Sequence, residues 1–267
     1  MIREMTLGQY YKADSVIHRL DPRVKLMGTL IFIISLFMGM NIWIYAVVTV
    51  ALAVVIKMSR IPLKFMVRGL KSIVILIIIS AVFNLFLTPG DVLIQIWKLT
   101  ITYQGLKMAI FMVVRLIYLI VGTSLMTLTT TPNNLTDGLE KGLGFLKVIK
   151  VPVHEIAMMM SIALRFIPIL IEETDKIMKA QMARGADFEN GSLIKRAKAM
   201  VPILVPLFVS AFRRANELAM AMEARCYHGS EGRTKMKPLK YEKRDRIAYI
   251  SMVLYLGVII IVKIIAA

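Results

Sequence analysis

The chain has 267 residues, of which 58% are hydrophobic; its mean hydropathy is +0.70 and its formal charge +17. That apolar share excludes an ordinary soluble domain, while the excess of cations requires a large basic surface in water, beside anionic headgroups or against an acidic partner. A single cysteine, Cys226, and three scattered histidines, His18, His154 and His228, exclude an internal disulfide and leave no metal cluster to assemble.

The opening MIREMTLGQYYKADSVIHRLDPRVKL breaks the layout of a signal peptide with acidic and aromatic residues, so the first apolar segment is expected to remain as an anchor. A helix crossing hydrocarbon needs about 20 mostly apolar residues. Segments 24–39 and 42–56 meet that need as a tight pair, with Asp21 as the cap of the first and Pro22 in its first helical position. Two further spans are predicted over 72–88 and 105–127, joined by a plain loop at 89–104, and a last one closes the chain within 246–267. Lys and Arg set the orientation, because basic loops resist translocation. Five lie in the N-terminal segment to residue 25 and five in 57–71, whereas 89–104 holds only Lys98. This places the N-terminus in the cytoplasm and the C-terminus outside.

Between the fourth and last spans lies the insert 131–245, in a stretch (131–246) that carries 20 of the 34 basic residues and is therefore expected to be cytoplasmic. It opens at TTTPNNLTDGLEKGL, where Thr131 and Pro132 look like a cap and first turn. NGS at 190–192 separates two long apolar helical stretches, and HGSEGRTKMKP at 228–238 leads to the last span. Segments 156–171 and 200–212 are apolar enough to suggest spans, yet they reach only about 24 Å and about 20 Å against about 30 Å of hydrocarbon. If both crossed, Lys176, Lys179, Arg184, Lys195, Arg196 and Lys198 would be carried outside. Arg165, Pro168, Pro202 and Pro206 weaken them further. Both read as long amphipathic helices at or below the inner surface, whose apolar faces need a cover. The fold class is thus an all-α integral membrane protein: a membrane domain over 1–130, cytoplasmic coupling helices over 131–245 and a final span over 246–267.

No phosphate loop, paired-histidine zinc motif or serine elbow occurs; His154-Glu155 has no second histidine at zincin spacing. No catalytic constellation remains, so the chain is expected not to be an enzyme, and any ATP hydrolysis belongs to another polypeptide. Within the spans only Arg115 is deeply placed, either in a structural pair with backbone carbonyls or Asn84, or in contact with substrate. Lys107 and Lys263 lie near span ends and can snorkel, and no intramembrane carboxylate offers a proton relay.

Two stretches look alike. QMARGADF at 181–188 and MEARCY at 222–227 each set an arginine between small residues, Ala183-Arg184-Gly185 and Ala224-Arg225-Cys226, where a long helical pattern ends. A cation in a last turn favours the helix dipole and glycine supplies the stop, which would make each arginine an ordinary cap. The alternative is docking: small neighbours admit a close backbone, and a guanidinium forks two hydrogen bonds onto carboxylate or carbonyl oxygens. The repetition favours docking, with capping still open.

With SVIHRLDPRVKL, AVFNLF at 81–86 and TTTPNNLTDGLEK, the two arginine motifs make the chain resemble the transmembrane (T) component of energy-coupling factor (ECF) transporters over nearly its whole length. The resemblance implies a multi-pass protein of the bacterial cell membrane that binds no cofactor or metal of its own. Its partners would be membrane lipid, two ABC-type ATPase subunits carrying ATP and Mg, and a substrate-binding S component that captures a vitamin or metal ion; nucleic acid is not among them. Arg184 would enter a groove on one ATPase and Arg225 a groove on the other, with Ala183, Gly185, Ala224 and Cys226 lining the contacts. ATP-driven closure of the ATPases would then shift the helices beneath the S component. Its platform would include Met159, Met160, Ala163, Ile167, Leu204, Phe208 and Met220, flexible thioethers suiting a surface that repacks. Two rivals stay open. A conventional ABC permease would line the substrate path itself, and a membrane-embedded lipid-modifying enzyme would need a base, for which His154 with Glu155 is the best pair.

Overall fold

Asp21 and Pro22 begin the first helix as their chemistry requires. The Asp21 carboxylate accepts the Arg23 backbone N–H at 2.9 Å and Pro22 opens α1, Pro22–Phe37. The computed structural model describes residues 10–71, 73–96, 99–188, 192–229, 236 and 238–265. Asn41 caps α2, Ile42–Ser59, by accepting the Trp43 N–H at 3.1 Å, and Arg60 ends it in the left-handed region at φ 56°. The amphipathic α3, Leu63–Lys71, follows, then α4, Val74–Leu87, with a 64° bend between them.

The predicted span over 72–88 is therefore helical only from Val74, and its 14 residues reach about 21 Å. The expected loop at 89–104 is corrected too. Val92–Ile96 (β1) and Leu99–Thr102 (β2) form an antiparallel hairpin that pairs Val92 with Thr102 and Ile96 with Leu99. Both strands are rich in β-branched residues, and the alternation of Leu99-Thr100-Ile101-Thr102 is too short a run to stand out beside the apolar span that follows. Thr102 then caps α5, Tyr103–Thr129: its hydroxyl accepts the Gly105 N–H at 3.0 Å and donates to the Thr88 carbonyl at 2.8 Å.

Thr131 caps α6, Pro132–Gly142, as its sequence suggests, accepting the Asn134 N–H at 3.3 Å. After a 3-10 turn at Gly144–Ile149 come α7, Val153–Ala183, α8, Leu193–Glu223, and α9, Lys243–Ile265. The long helices expected around 156–171 and 200–212 are present: each apolar segment belongs to a 31-residue helix of about 46 Å, well beyond the reach of the apolar stretch alone. Pro168, Pro202 and Pro206 lie inside these helices without ending them. Helices α2, α5, α7 and α9 are long and apolar enough to cross a membrane, and α3 with α4 would add a broken fifth crossing. At 16 residues, α1 reaches only about 24 Å. The chain is an all-α integral membrane protein, its one described hairpin excepted.

The described residues fall into two compact units. One is Gly8–Gly138 with Leu239–Ala267. Its interior joins Leu36, Ile44, Val48 and Ile259 in one apolar cluster and Leu52, Met66, Val121, Leu125 and Leu128 in another. Gly122 lets α5 approach the Phe32 ring of α1, space that a Cβ would take.

Arg115 is buried here at 7% exposure, donating from Nε to the Tyr45 hydroxyl at 3.0 Å with the Phe37 ring 5.0 Å away. Asn84, the neighbour expected from sequence, instead turns its amide back onto the Ser80 carbonyl at 2.8 Å. The same unit buries Asp245, which accepts the Glu242 N–H at 2.8 Å and the Asp21 N–H at 2.9 Å, tying the start of α9 to the start of α1. Lys25 donates to the carbonyls of His18 at 3.0 Å and Thr129 at 2.8 Å, which brings the end of α5 to the same place.

Candidate functional site

The other unit includes Leu139–Pro238 and holds both arginine motifs. At the end of α7 the chain follows ordinary helix-stop chemistry. Arg184 donates its N–H to Ala180 and Gln181, Gly185 turns left-handed at φ 88° and donates to Met182 at 2.9 Å, and Ala186 donates to Gln181 at 3.0 Å. These are the paired bonds of a Schellman stop with glycine in its usual place.

The end of α8 repeats these paired stopping bonds. Cys226, at φ 53°, donates to Glu223 at 2.8 Å, and Tyr227 donates to Met222 at 3.1 Å. Arg184 and Arg225 thus occupy the same capping position, each followed by one left-handed residue. A side chain in that conformation costs about 1–2 kcal/mol, which glycine avoids. Cys226→Gly is therefore expected to raise stability by about 1 kcal/mol, read as a later thermal unfolding of the purified protein. No gain would deny that Cys226 is strained.

Capping engages only the arginine backbones. Both side chains are exposed, and among the described residues neither guanidinium has an ion-pair or hydrogen-bond partner. Positions Ala183, Gly185, Ala224 and Cys226 are exposed as well, so nothing within the described chain crowds either arginine.

A polar clamp sets the spacing between the two. Glu173 of α7 accepts the Ser210 hydroxyl and pairs with Arg214 of α8 at 3.2 Å, while the Tyr227 hydroxyl lies 3.2 Å from the Met158 sulfur. Early residues of one helix meet late residues of the other, so α7 and α8 run antiparallel. From the clamp, Arg184 lies 11 residues along α7 and Arg225 about 13 residues along α8 in the opposite direction, which puts the arginines about 35 Å apart along the pair. Sequence reading missed this clamp. Its signal was present, since Glu173 and Ser210 stand 18 and 19 residues either side of Gly191 and a hairpin folded there opposes them.

The platform residues stand largely in the open. Met159, Met160, Leu204, Phe208 and Met220 are exposed by 42–60%, Ala163 is exposed and Ile167 is half-buried. At about 100° per residue, the four on α7 fall within an arc of about 100°. On α8 the exposed apolar stripe runs through Val201, Leu204, Val205, Phe208, Val209 and Phe212, with Met220 at its edge. Ile203, Ser210 and Arg214 lie about 180° from its centre and face the clamp. The stripe therefore points away from α7.

The His154-Glu155 pair is corrected. His154 Nδ1 lies 2.8 Å from Glu140 of α6, one helix earlier, and Glu155 is not its partner.

Comparison with known proteins adds an independent line. The CbiQ family, described as cobalt transport protein, matches residues 13–236. The energy-coupling factor transporter transmembrane protein EcfT of Thermosediminibacter oceani is 56% identical over 250 residues, 94% of each chain. That of Clostridium kluyveri is 56% identical over 93% of each chain, and that of Bacillus subtilis 47% identical over 95% of this chain and 96% of its own. With the membrane helices and paired arginine caps above, these likenesses run nearly end to end: the chain belongs to the family of energy-coupling factor transporter transmembrane proteins.

Proposed function

We propose that this energy-coupling component transmits force through α7 and α8, with Arg184 docked in a groove of one ABC-type ATPase subunit and Arg225 in a groove of a second. The observation that carries the reading is the repeated cap: two exposed arginines, unpaired among the described residues, in matching backbone settings at opposite ends of one antiparallel pair. Such a pair has an approximate two-fold axis through its clamp, and two similar subunits around a two-fold offer each end an equivalent groove. ATP-driven closure of the ATPases would draw the arginines together and pivot the helices about Glu173. The chain itself would remain non-catalytic, ATP and Mg staying with the ATPases.

The exposed stripes of α7 and α8 would carry the substrate-binding S component. Apolar surface this extensive, turned away from its own helix partner, calls for a cover of lipid or protein, and the methionines along it suit an occupant that changes position. A conventional permease would instead need a polar path between its spans. For the lipid-modifying reading, a histidine already engaged by Glu140 is a poor start.

Length alone permits α7 to cross a membrane. The basic residues of 172–199 argue for the cytoplasmic face, since a crossing would carry that stretch outside with six cations. In a Cys226→Gly background, Ser192→Cys is accordingly expected to react with an impermeant maleimide only from the cytoplasmic side. Labelling from outside would discard the topology, with the N-terminus inside and the C-terminus outside. The docking role itself is tested by charge reversal at both arginines, whose expected outcome opens the Discussion.

A further inference from the structure

Within the unit that holds α1, α2, α5 and α9, a cavity of about 510 Å³ lies among these helices. Its size falls inside the range of about 300–1,000 Å³ typical of small-molecule sites. Phe32, Leu52, Val55, Leu125 and Met252 give it apolar walls. Three polar residues that also line it, Lys25, Thr129 and Arg244, belong to the start of α1, the end of α5 and the start of α9. The Lys25–Thr129 and Asp21–Asp245 hydrogen bonds hold those three helix ends together, so these groups collect at one end of the bundle. From Arg244 to Tyr255, both on the wall, α9 runs a further 11 residues or about 16 Å. The cavity is amphiphilic along its length.

Arg244 is chemically unfinished. Its Nη2 pairs with Glu242 at 2.9 Å, whereas its Nε–H is buried and, among the described residues, has no acceptor. A buried donor on a charged group is costly without a partner, and a planar guanidinium is well shaped for phosphate oxygens. Lys25 spends two of its three ammonium protons on the His18 and Thr129 carbonyls.

We propose that this cavity binds one anionic phospholipid, its phosphate on Arg244 and Lys25 and an acyl chain along α1, α2 and α9. Cations gathered at the ends of membrane helices around an apolar pocket match the chemistry that selects anionic headgroups. A zwitterionic lipid would bring a cation toward Arg244 and Lys25, and a free phosphate would leave the apolar walls without cover. The site shares no residue with the α7–α8 pair, so its failure and that of the docking reading are separate events.

Full-length protein in mild detergent, titrated with phosphatidylglycerol or phosphatidylcholine of matched chains and read by native mass spectrometry, provides the test. Phosphatidylglycerol is expected to bind at least about fivefold more tightly. Arg244→Gln should erase that preference, while Arg244→Lys, which keeps the cation beside Glu242, should retain part of it. Ala248→Phe, placing bulk on the cavity wall, should lower occupancy by both lipids. Millimolar inorganic phosphate should displace neither. Equal affinity for the two lipids, identical behaviour of Arg244→Gln and Arg244→Lys, undiminished occupancy in Ala248→Phe, or displacement by phosphate alone would overturn the proposal.

Discussion

Arg184→Glu combined with Arg225→Glu is expected to leave the chain inserted in the membrane and strip it of its ATPases. An interface arginine that fills a groove typically contributes about 2–4 kcal/mol, and a carboxylate in its place adds repulsion wherever the groove is acidic. Lying about 35 Å apart and sharing no partner, the two sites should act additively. The double variant should then lose affinity by about 1,000-fold or more, each single variant by about 30-fold. Co-purification of the ATPases from solubilised membranes reads the loss, and the amount of chain in the membrane fraction controls for folding. Neither cap depends on its arginine side chain, because the stopping bonds come from backbone N–H groups. Replacement by alanine should therefore be milder than reversal. Undiminished association of the double variant with its ATPases would discard the docking role.

Asp245→Ala should produce a large loss of stability, unlike the arginine variants. The Asp245 carboxylate is 2% exposed and is the acceptor for the Asp21 and Glu242 backbone N–H groups. Hydrogen bonds to a charged acceptor contribute about 1.5–3 kcal/mol each, and the buried Asp21 N–H and part-buried Glu242 N–H would both lose this acceptor. A loss of about 3–5 kcal/mol is expected, seen as a lowered unfolding temperature in detergent. Asp245→Asn keeps one acceptor oxygen and should lose roughly half as much. The exposed Asp14–Arg19 pair, held at 2.5 Å, is the silent control. Wild-type stability in Asp245→Ala would mean that the Asp245 carboxylate is not needed to join α1 to α9, which the Ser35–Tyr255 hydrogen bond at 2.7 Å and apolar packing also link.

Much of this was open to sequence reading because the signals are local. Asp21-Pro22 and Thr131-Pro132 announce helix starts through chemistry confined to one turn, and both helices start there. Continuous apolarity marks membrane helices whatever they pack against. Helix extent was less open. Long helices were expected around the apolar stretches 156–171 and 200–212, but only the structure shows that each runs to 31 residues through its prolines. The strand pairing of Val92–Ile96 with Leu99–Thr102 was concealed because each run is only five or four residues long and Val92–Ile96 is broken by Gln95 alone.

By itself the sequence determined the membrane class, the basic insert and the two arginine motifs with their family likeness, since composition, charge and short motifs need no knowledge of distant contacts. Only the tertiary structure decided that Cys226 takes the glycine conformation, that Arg115 meets Tyr45 and not Asn84, and that Glu173 clamps α7 against α8 with the arginines at opposite ends. Lys25 and Asp245 likewise find partners 104 and 224 residues away. Long-range pairings of this kind are fixed by how helices pack, and one residue's offset along a helix turns a side chain by about 100° toward a different neighbour.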